Sequence, residues 1–181
     1  VDLSRRSIEY AKTLSKDSTF IHMNYLTMDF KEDFELAILI YCDYAVMPFE
    51  DRLKVLNNIY KALKPGGMLM FDVFTPIRFE DRKETQTWVL EEDGGLFAND
   101  QHVVFESFYR YAHDLVLEHF IILDENLRAE AIRNWHQLFT KERLFEEISH
   151  SSFQVDELLS DVTGKPYYND SETLTIILKK P

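Results

Sequence analysis

A chain of 181 residues is long enough for one domain, or one domain with a smaller insertion. With 45% hydrophobic and 14% aromatic residues it holds ample core material, which excludes a disordered chain. A formal net charge of −12 repels phosphate backbones and sets nucleic acid aside as the main partner. The single cysteine, Cys42, excludes a disulfide framework and a cysteine-rich zinc site and fits a reducing cytoplasm, while no apolar run approaches the ~18–20 residues that cross a bilayer.

In chain order, Val1-Asp2-Leu3-Ser4 followed by the run from Ser7 to Lys12 reads as the end of a buried strand turning into a helix. An acid at such a tip is where α/β nucleotide-binding domains hydrogen-bond a ribose, and their glycine-rich turn lies on the strand before it. The expectation is therefore that a first strand and its turn lie upstream of Val1. Residues 35–42 form a nearly continuous apolar run, expected as a doubly buried strand. Leu56, Ile59, Tyr60 and Leu63 then fall at i, i+3, i+4 and i+7 of a helix. Glu50 and Asp51 at its start and Lys61 and Lys64 near its end complement its dipole. Pro65-Gly66-Gly67 is expected to stop it before a second buried strand at 68–74. Strand, helix, strand at this spacing is a parallel crossover.

From about Trp88 the periodicity changes. Residues 101–111, 115–123 and 128–138 read as antiparallel strands, with turns at Asp93-Gly94-Gly95, His113-Asp114 and Asp124-Glu125-Asn126. Thr140 caps a short helix carrying Leu144, Phe145 and Ile148, and two last strands at 153–155 and 173–178 flank a polar loop with Gly164 and Pro166. The division this gives is an α/β core of 1–78 with 137–181, and an inserted antiparallel β subdomain of 79–136.

Taken together these pieces resemble the class I S-adenosylmethionine-dependent methyltransferases. Val1-Asp2-Leu3-Ser4 with Tyr10-Ala11 resembles the family's second strand and following helix, and Phe20 to Tyr25 its adenine-contacting segment. Phe34-Glu35-Leu36-Ala37-Ile38-Leu39 is similar to the fourth strand, and Leu63-Lys64-Pro65-Gly66-Gly67 to the turn entering the fifth. Phe139-Thr140-Lys141-Glu142-Arg143-Leu144, Phe153 and the final Lys179-Lys180 strand match the end, and Tyr41 to Tyr44 with Trp135-His136-Gln137 looks like a bacterial subgroup. Two features depart from the family: no glycine-rich turn is present, and Asn24 stands where the adenine-binding acid would be.

The resemblance implies a Rossmann-like, mostly parallel sheet with an antiparallel C-terminal strand and an inserted β lid. It also implies methyl transfer from S-adenosylmethionine to a small-molecule acceptor. Such a displacement needs alignment and exclusion of water more than acid–base chemistry. Asp2 would bind the ribose hydroxyls, Leu3 the adenine face, Asn24 and Tyr25 its other edge, and Tyr41 and Cys42 the methionine moiety. Asp43 and His136 are the catalytic candidates; Tyr44, Trp88, Phe105, Tyr109 and Trp135 are candidate substrate-lining residues. No metal site, nucleic acid or membrane is expected, and a homodimer is compatible with the reading. Plainer roles stay open beside these: a helix cap for Asp2, a turn for Asn24, packing for Tyr41 and Cys42, sheet core for Trp88, Phe105 and Tyr109. So do two other functions, a non-catalytic partner-binding relative and a nicotinamide dehydrogenase.

Overall fold

A computed structural model describes residues 1–181. The chain builds two four-stranded sheets. In the core, Ser4 accepts the Ser7 N–H at 3.1 Å and opens α1 (Arg5–Leu14). β1 (Phe34–Leu39), α2 (Phe49–Ala62) and β2 (Leu63–Phe74) form the parallel crossover. The insert follows as β3 (Thr85–Glu91), β4 (His102–Tyr111), β5 (Leu115–Asp124) and β6 (Ala129–Gln137). The chain returns to the core through α3 (Lys141–Ser149), capped by Thr140 as expected, and ends with β7 (Gln154–Leu159) and β8 (Thr173–Lys179).

The core sheet runs β1-β2-β8-β7. β8 is antiparallel to both neighbours, so β1, β2 and β7 share a direction and the C-terminal strand opposes them, as the sequence implied. Strand alternation aims Leu69, Phe71 and Val73 of β2 and Leu174, Ile176 and Leu178 of β8 at one face, and each set is fully paired across the ladder. Val55, Leu56 and Ile59 of α2 and Leu144 and Ile148 of α3 close over that face in a single cluster. Each such side chain contributes about 1.5–3 kcal/mol of burial. No helix is long and apolar enough to cross a membrane.

Three expectations need correction. Val1-Asp2-Leu3 is not a buried strand: it makes one parallel bridge, Asp2 to His22, and Val1 and Leu3 are exposed because nothing packs over them. β1 is an edge strand covered on one face only: Ala37 and Leu39 pack on the core cluster, while Leu36 and Ile38 point to the uncovered face and are 59% and 57% exposed rather than buried. Finally, α2 ends at Ala62 and β2 begins at Leu63, ahead of the Pro-Gly-Gly turn. That turn becomes an irregularity inside β2: Phe34 pairs with Leu63 but Leu36 pairs with Met68. Gly66 takes φ +78° there, and a Cβ on Gly67 would meet the Lys64 carbonyl oxygen at 2.8 Å.

The insert runs β3-β4-β5-β6, antiparallel throughout. The sequence reading missed β3, an edge strand exposed along almost its whole length, which carries no burial periodicity to detect. One face of this sheet is covered by the chain itself. Phe79 stacks on Phe108 at 5.6 Å, Arg82 lies 4.3 Å over the Phe108 ring, and Phe97 packs on Phe120 at 5.1 Å.

Candidate functional site

The site is built where the parallel strands end. Immediately after β1, Tyr41 and Cys42 take φ of +79° and +58°, a left-handed pair of non-glycine residues. Each such residue costs on the order of 1–3 kcal/mol and persists only where its surroundings impose it. Asp72 of β2 imposes it: its carboxylate accepts the Cys42 N–H at 2.9 Å and the Cys42 thiol at 3.6 Å. Tyr41 is thereby thrown into solvent, 93% exposed, while Cys42 turns inward. Burial, and then the Asp72 carboxylate, push the Cys42 thiol well above its ordinary value, so it stays protonated and unreactive. Asp72 was absent from the sequence candidates. Its only signal was a carboxylate interrupting the apolar run of 68–74.

The strained turn launches a short 3-10 helix, Asp43–Val46, and a cleft lies on each side of it. The first cleft, of about 430 Å³, gathers Asp2, Leu3, Tyr25 and Asp43 from three separate points of the chain. Its walls are apolar, from Met28 and Phe30, the β1 residues Leu36 to Leu39, and Val55 and Ile59 of α2. Burial, and then the Asp43 carboxylate, raise the Tyr25 phenol to about 12, with Asp2 adding to the effect. Tyr25 is therefore a protonated donor at neutral pH, facing two acids. One Asp2 oxygen accepts the Ser4 N–H at 2.6 Å, so Asp2 also organises the start of α1. Asn24 is outside this lining, and its side-chain oxygen accepts the Leu26 N–H at 2.9 Å in a local turn. Tyr41 and Cys42 are outside it as well.

The second cavity, of about 810 Å³, lies between the 45–49 segment, α3 and the near end of the insert. Its floor is a buried ion pair: Arg52 meets Glu147 through two hydrogen bonds of 2.6 and 2.7 Å and donates a third to the Met47 carbonyl at 2.6 Å. Tyr44 donates its hydroxyl to the same carboxylate at 2.6 Å. The expectation that Tyr44 lines the substrate is thus corrected: it is 0% exposed, and its polar end is spent on Glu147. Trp135 does border the cavity, with Val46, Phe49 and Leu115 as apolar neighbours and Asp114, Arg143, Glu146 and His150 at the polar rim. Trp88, Phe105 and Tyr109 share the sheet face of Trp135 but line neither cleft.

His136, the expected base, is on the face of the insert opposite Trp135 and lines neither cleft, because the β6 register turns it away from them. It packs against Phe74 and Phe79, and its Nε2 lies 3.4 Å from Glu118. The hydrogen bond to His136, followed by Arg82, holds the Glu118 carboxyl down at about 2. A depressed carboxylate stabilises the fold above its unfolded value and loses that contribution as pH falls towards the folded one. Allowing for partial exposure, Glu118→Gln should cost about 1–2 kcal/mol at pH 7 and almost nothing at pH 2. Urea unfolding at the two pH values checks this.

In sequence, residues 1–67 match the family model of the methyltransferase domain. No curated protein matches the chain. Among solved structures, an S-adenosylmethionine-dependent methyltransferase from Clostridium acetobutylicum superposes with a TM-score of 0.73 at 14% identity, over 98% of this chain and 72% of that one. The chain has the fold of these methyltransferases, and its first 67 residues match the methyltransferase-domain model. The CcbJ methyltransferase of Streptomyces caelestis is similar to it at a TM-score of 0.71 and 11% identity, over 98% and 77% of the two chains. A Burkholderia thailandensis 1,6-didemethyltoxoflavin-N1-methyltransferase, solved with bound 1,6-didemethyltoxoflavin and S-adenosylhomocysteine, reaches 0.53 at 12% identity over 99% and 59%. The 43–46 helix lies between the two clefts, giving Asp43 to the first and Ala45 and Val46 to the second.

Proposed function

We propose that this chain is a methyltransferase that binds S-adenosylmethionine in the first cleft and a small-molecule acceptor in the second. The observation that carries the proposal is the meeting of Asp2, Tyr25 and Asp43 in one apolar cleft at the end of β1. The residues fit an adenosyl group. The Asp2 carboxylate is an acceptor for ribose hydroxyls, Tyr25 is a protonated donor, and the hydrophobic walls suit a purine ring. A cleft of about 430 Å³ is also within the range of cofactor pockets. When bound, the cofactor supplies an electrophilic methyl group on a sulfonium. The chain's own part is alignment: the Asp72-locked turn fixes Asp43, and the 43–46 helix lines both clefts, with Asp43 in the first and Ala45 and Val46 in the second. The acceptor cavity, with Trp135 and Phe49 on its apolar side and charged residues on its rim, suits a compact, partly polar molecule. As the assembly we propose a homodimer.

Calorimetric titration with S-adenosylhomocysteine tests the cofactor half, on the 181-residue chain and on a version extended at its N-terminus, because the open edge of β1 accepts a further strand. Asp2→Ala should weaken binding by roughly 1–3 kcal/mol, the range for a hydrogen bond to a charged group. That is about a 5- to 150-fold rise in Kd. No binding by either version, or an Asp2→Ala variant that binds as tightly as its parent, overturns the assignment.

A further inference from the structure

The register of the insert divides its residues cleanly between two faces. The face covered by the 76–84 segment holds Glu91, Glu106, Glu118, Asp124 and Glu130. None of the positions on the other face is an Asp or Glu, in a chain with 32 acids and a net charge of −12. That face instead presents aromatic and aliphatic side chains to solvent: Trp88 is 68% exposed, Tyr111 47%, Phe105 42% and Trp135 37%, with Leu90 and Ile121 between them. An antiparallel sheet packed on one side ordinarily carries polar residues on the other. Here the pattern is reversed, and only the 45–49 segment approaches it, at the end that holds Leu115, Trp135 and Gln137. Aromatics with an occasional arginine, and no Lys, Glu or Asp, is the composition of the centre of a protein–protein interface; Arg133 is the only Lys or Arg on the face.

We infer that this face is the two-fold interface of a homodimer, with the second copy seated on the same face. Charge selects a second copy. Two chains of net −12 repel over most of their surfaces, and a face without carboxylates removes that repulsion where they meet. Area agrees. Four strands about 4.8 Å apart and about nine residues long at ~3.4 Å each give a footprint of roughly 20 by 30 Å. The corrugated side-chain surface over that footprint approaches the ~800 Å² per partner of a stable interface. An isologous contact also closes on itself, so the pair does not propagate into a fibre. Because Trp135 belongs both to this face and to the acceptor cavity, the partner would border the cavity mouth. This develops the homodimer part of the proposed function and is measured without cofactor, so its failure is separate from that of the methyl-transfer reading.

Sedimentation velocity on the 181-residue chain at micromolar concentration should give twice its 21.5 kDa mass. Trp88→Glu puts a carboxylate into the face and, being made twice across a two-fold axis, should raise the dimer dissociation constant at least ~100-fold. Val89→Glu is the control. Val89 is 47% exposed, adjacent in sequence and on the opposite face, so the same added charge should leave the dimer intact. Far-UV circular dichroism verifies that the variants fold; if Trp88→Glu does not, Phe105→Ser removes a face ring without adding charge. A monomeric wild type overturns the inference. So does a dimer that Trp88→Glu and Val89→Glu affect equally, which would place the contact elsewhere, for example at the open edge of β1.

Discussion

Glu147→Ala should be the most damaging single change in the polar core, lowering stability by about 3–5 kcal/mol. Arg52 and Glu147 are 4% and 5% exposed, and the carboxylate takes two hydrogen bonds from the guanidinium and one from the Tyr44 hydroxyl. Truncation strands a desolvated cation in a site shaped for its partner and leaves a buried hydroxyl unpaired. Against a total stability of about 5–15 kcal/mol, the loss is a large fraction. The whole network is another matter. Replacing all three members by apolar residues, Tyr44→Phe with Arg52→Met and Glu147→Leu, removes the desolvation cost together with the attraction, so the triple variant should recover most of what the single one loses. Urea unfolding of the two variants decides it. A loss under about 1 kcal/mol for Glu147→Ala would mean that water reaches the pair through the cavity it floors.

That network also marks the limit of what the sequence made legible. Periodicity exposed α2, Thr140 exposed the start of α3, and the apolar runs exposed β2 and β8, because each signal is local. The antiparallel insert was visible for three of its four strands; β3 escaped because an exposed edge strand needs no buried alternation. At the site, Asp2 and Asp43 were named from their places at strand ends and Leu3 and Tyr25 from the family resemblance, and the four do meet in one cleft. His136 was misplaced because the β6 register turns it to the face away from both clefts, whereas Tyr44 was misplaced and Asp72 went unread for a different reason. Whether a side chain after a strand faces a cavity or the core depends on the rotation of one turn, and here the left-handed pair Tyr41–Cys42 sets it. No local pattern announces that rotation, because its cause, Asp72, lies 30 residues away on the neighbouring strand.

Asp72 is accordingly the residue whose loss should reach the site furthest without touching it. Asp72→Ala leaves the buried Cys42 N–H with no acceptor, a cost of about 1–3 kcal/mol. It also frees a turn in which two residues hold strained left-handed conformations. The turn can then relax, and relaxation carries Asp43 away from Tyr25 and Asp2. The expected result is a stability loss of about 2–3 kcal/mol with a fall in S-adenosylhomocysteine affinity at least as large as that of Asp2→Ala, even though Asp72 does not line the cleft. Asp72→Asn separates the two effects. Its carbonyl oxygen still accepts the Cys42 N–H, so the turn should hold and binding should stay within about threefold of wild type, while part of the stability is lost with the charge-assisted hydrogen bond. Parallel calorimetry and urea unfolding on the two variants read both quantities. Should Asp72→Ala lose stability yet bind normally, the left-handed turn is held by the 43–46 helix itself, and Asp72 is only a buried acceptor.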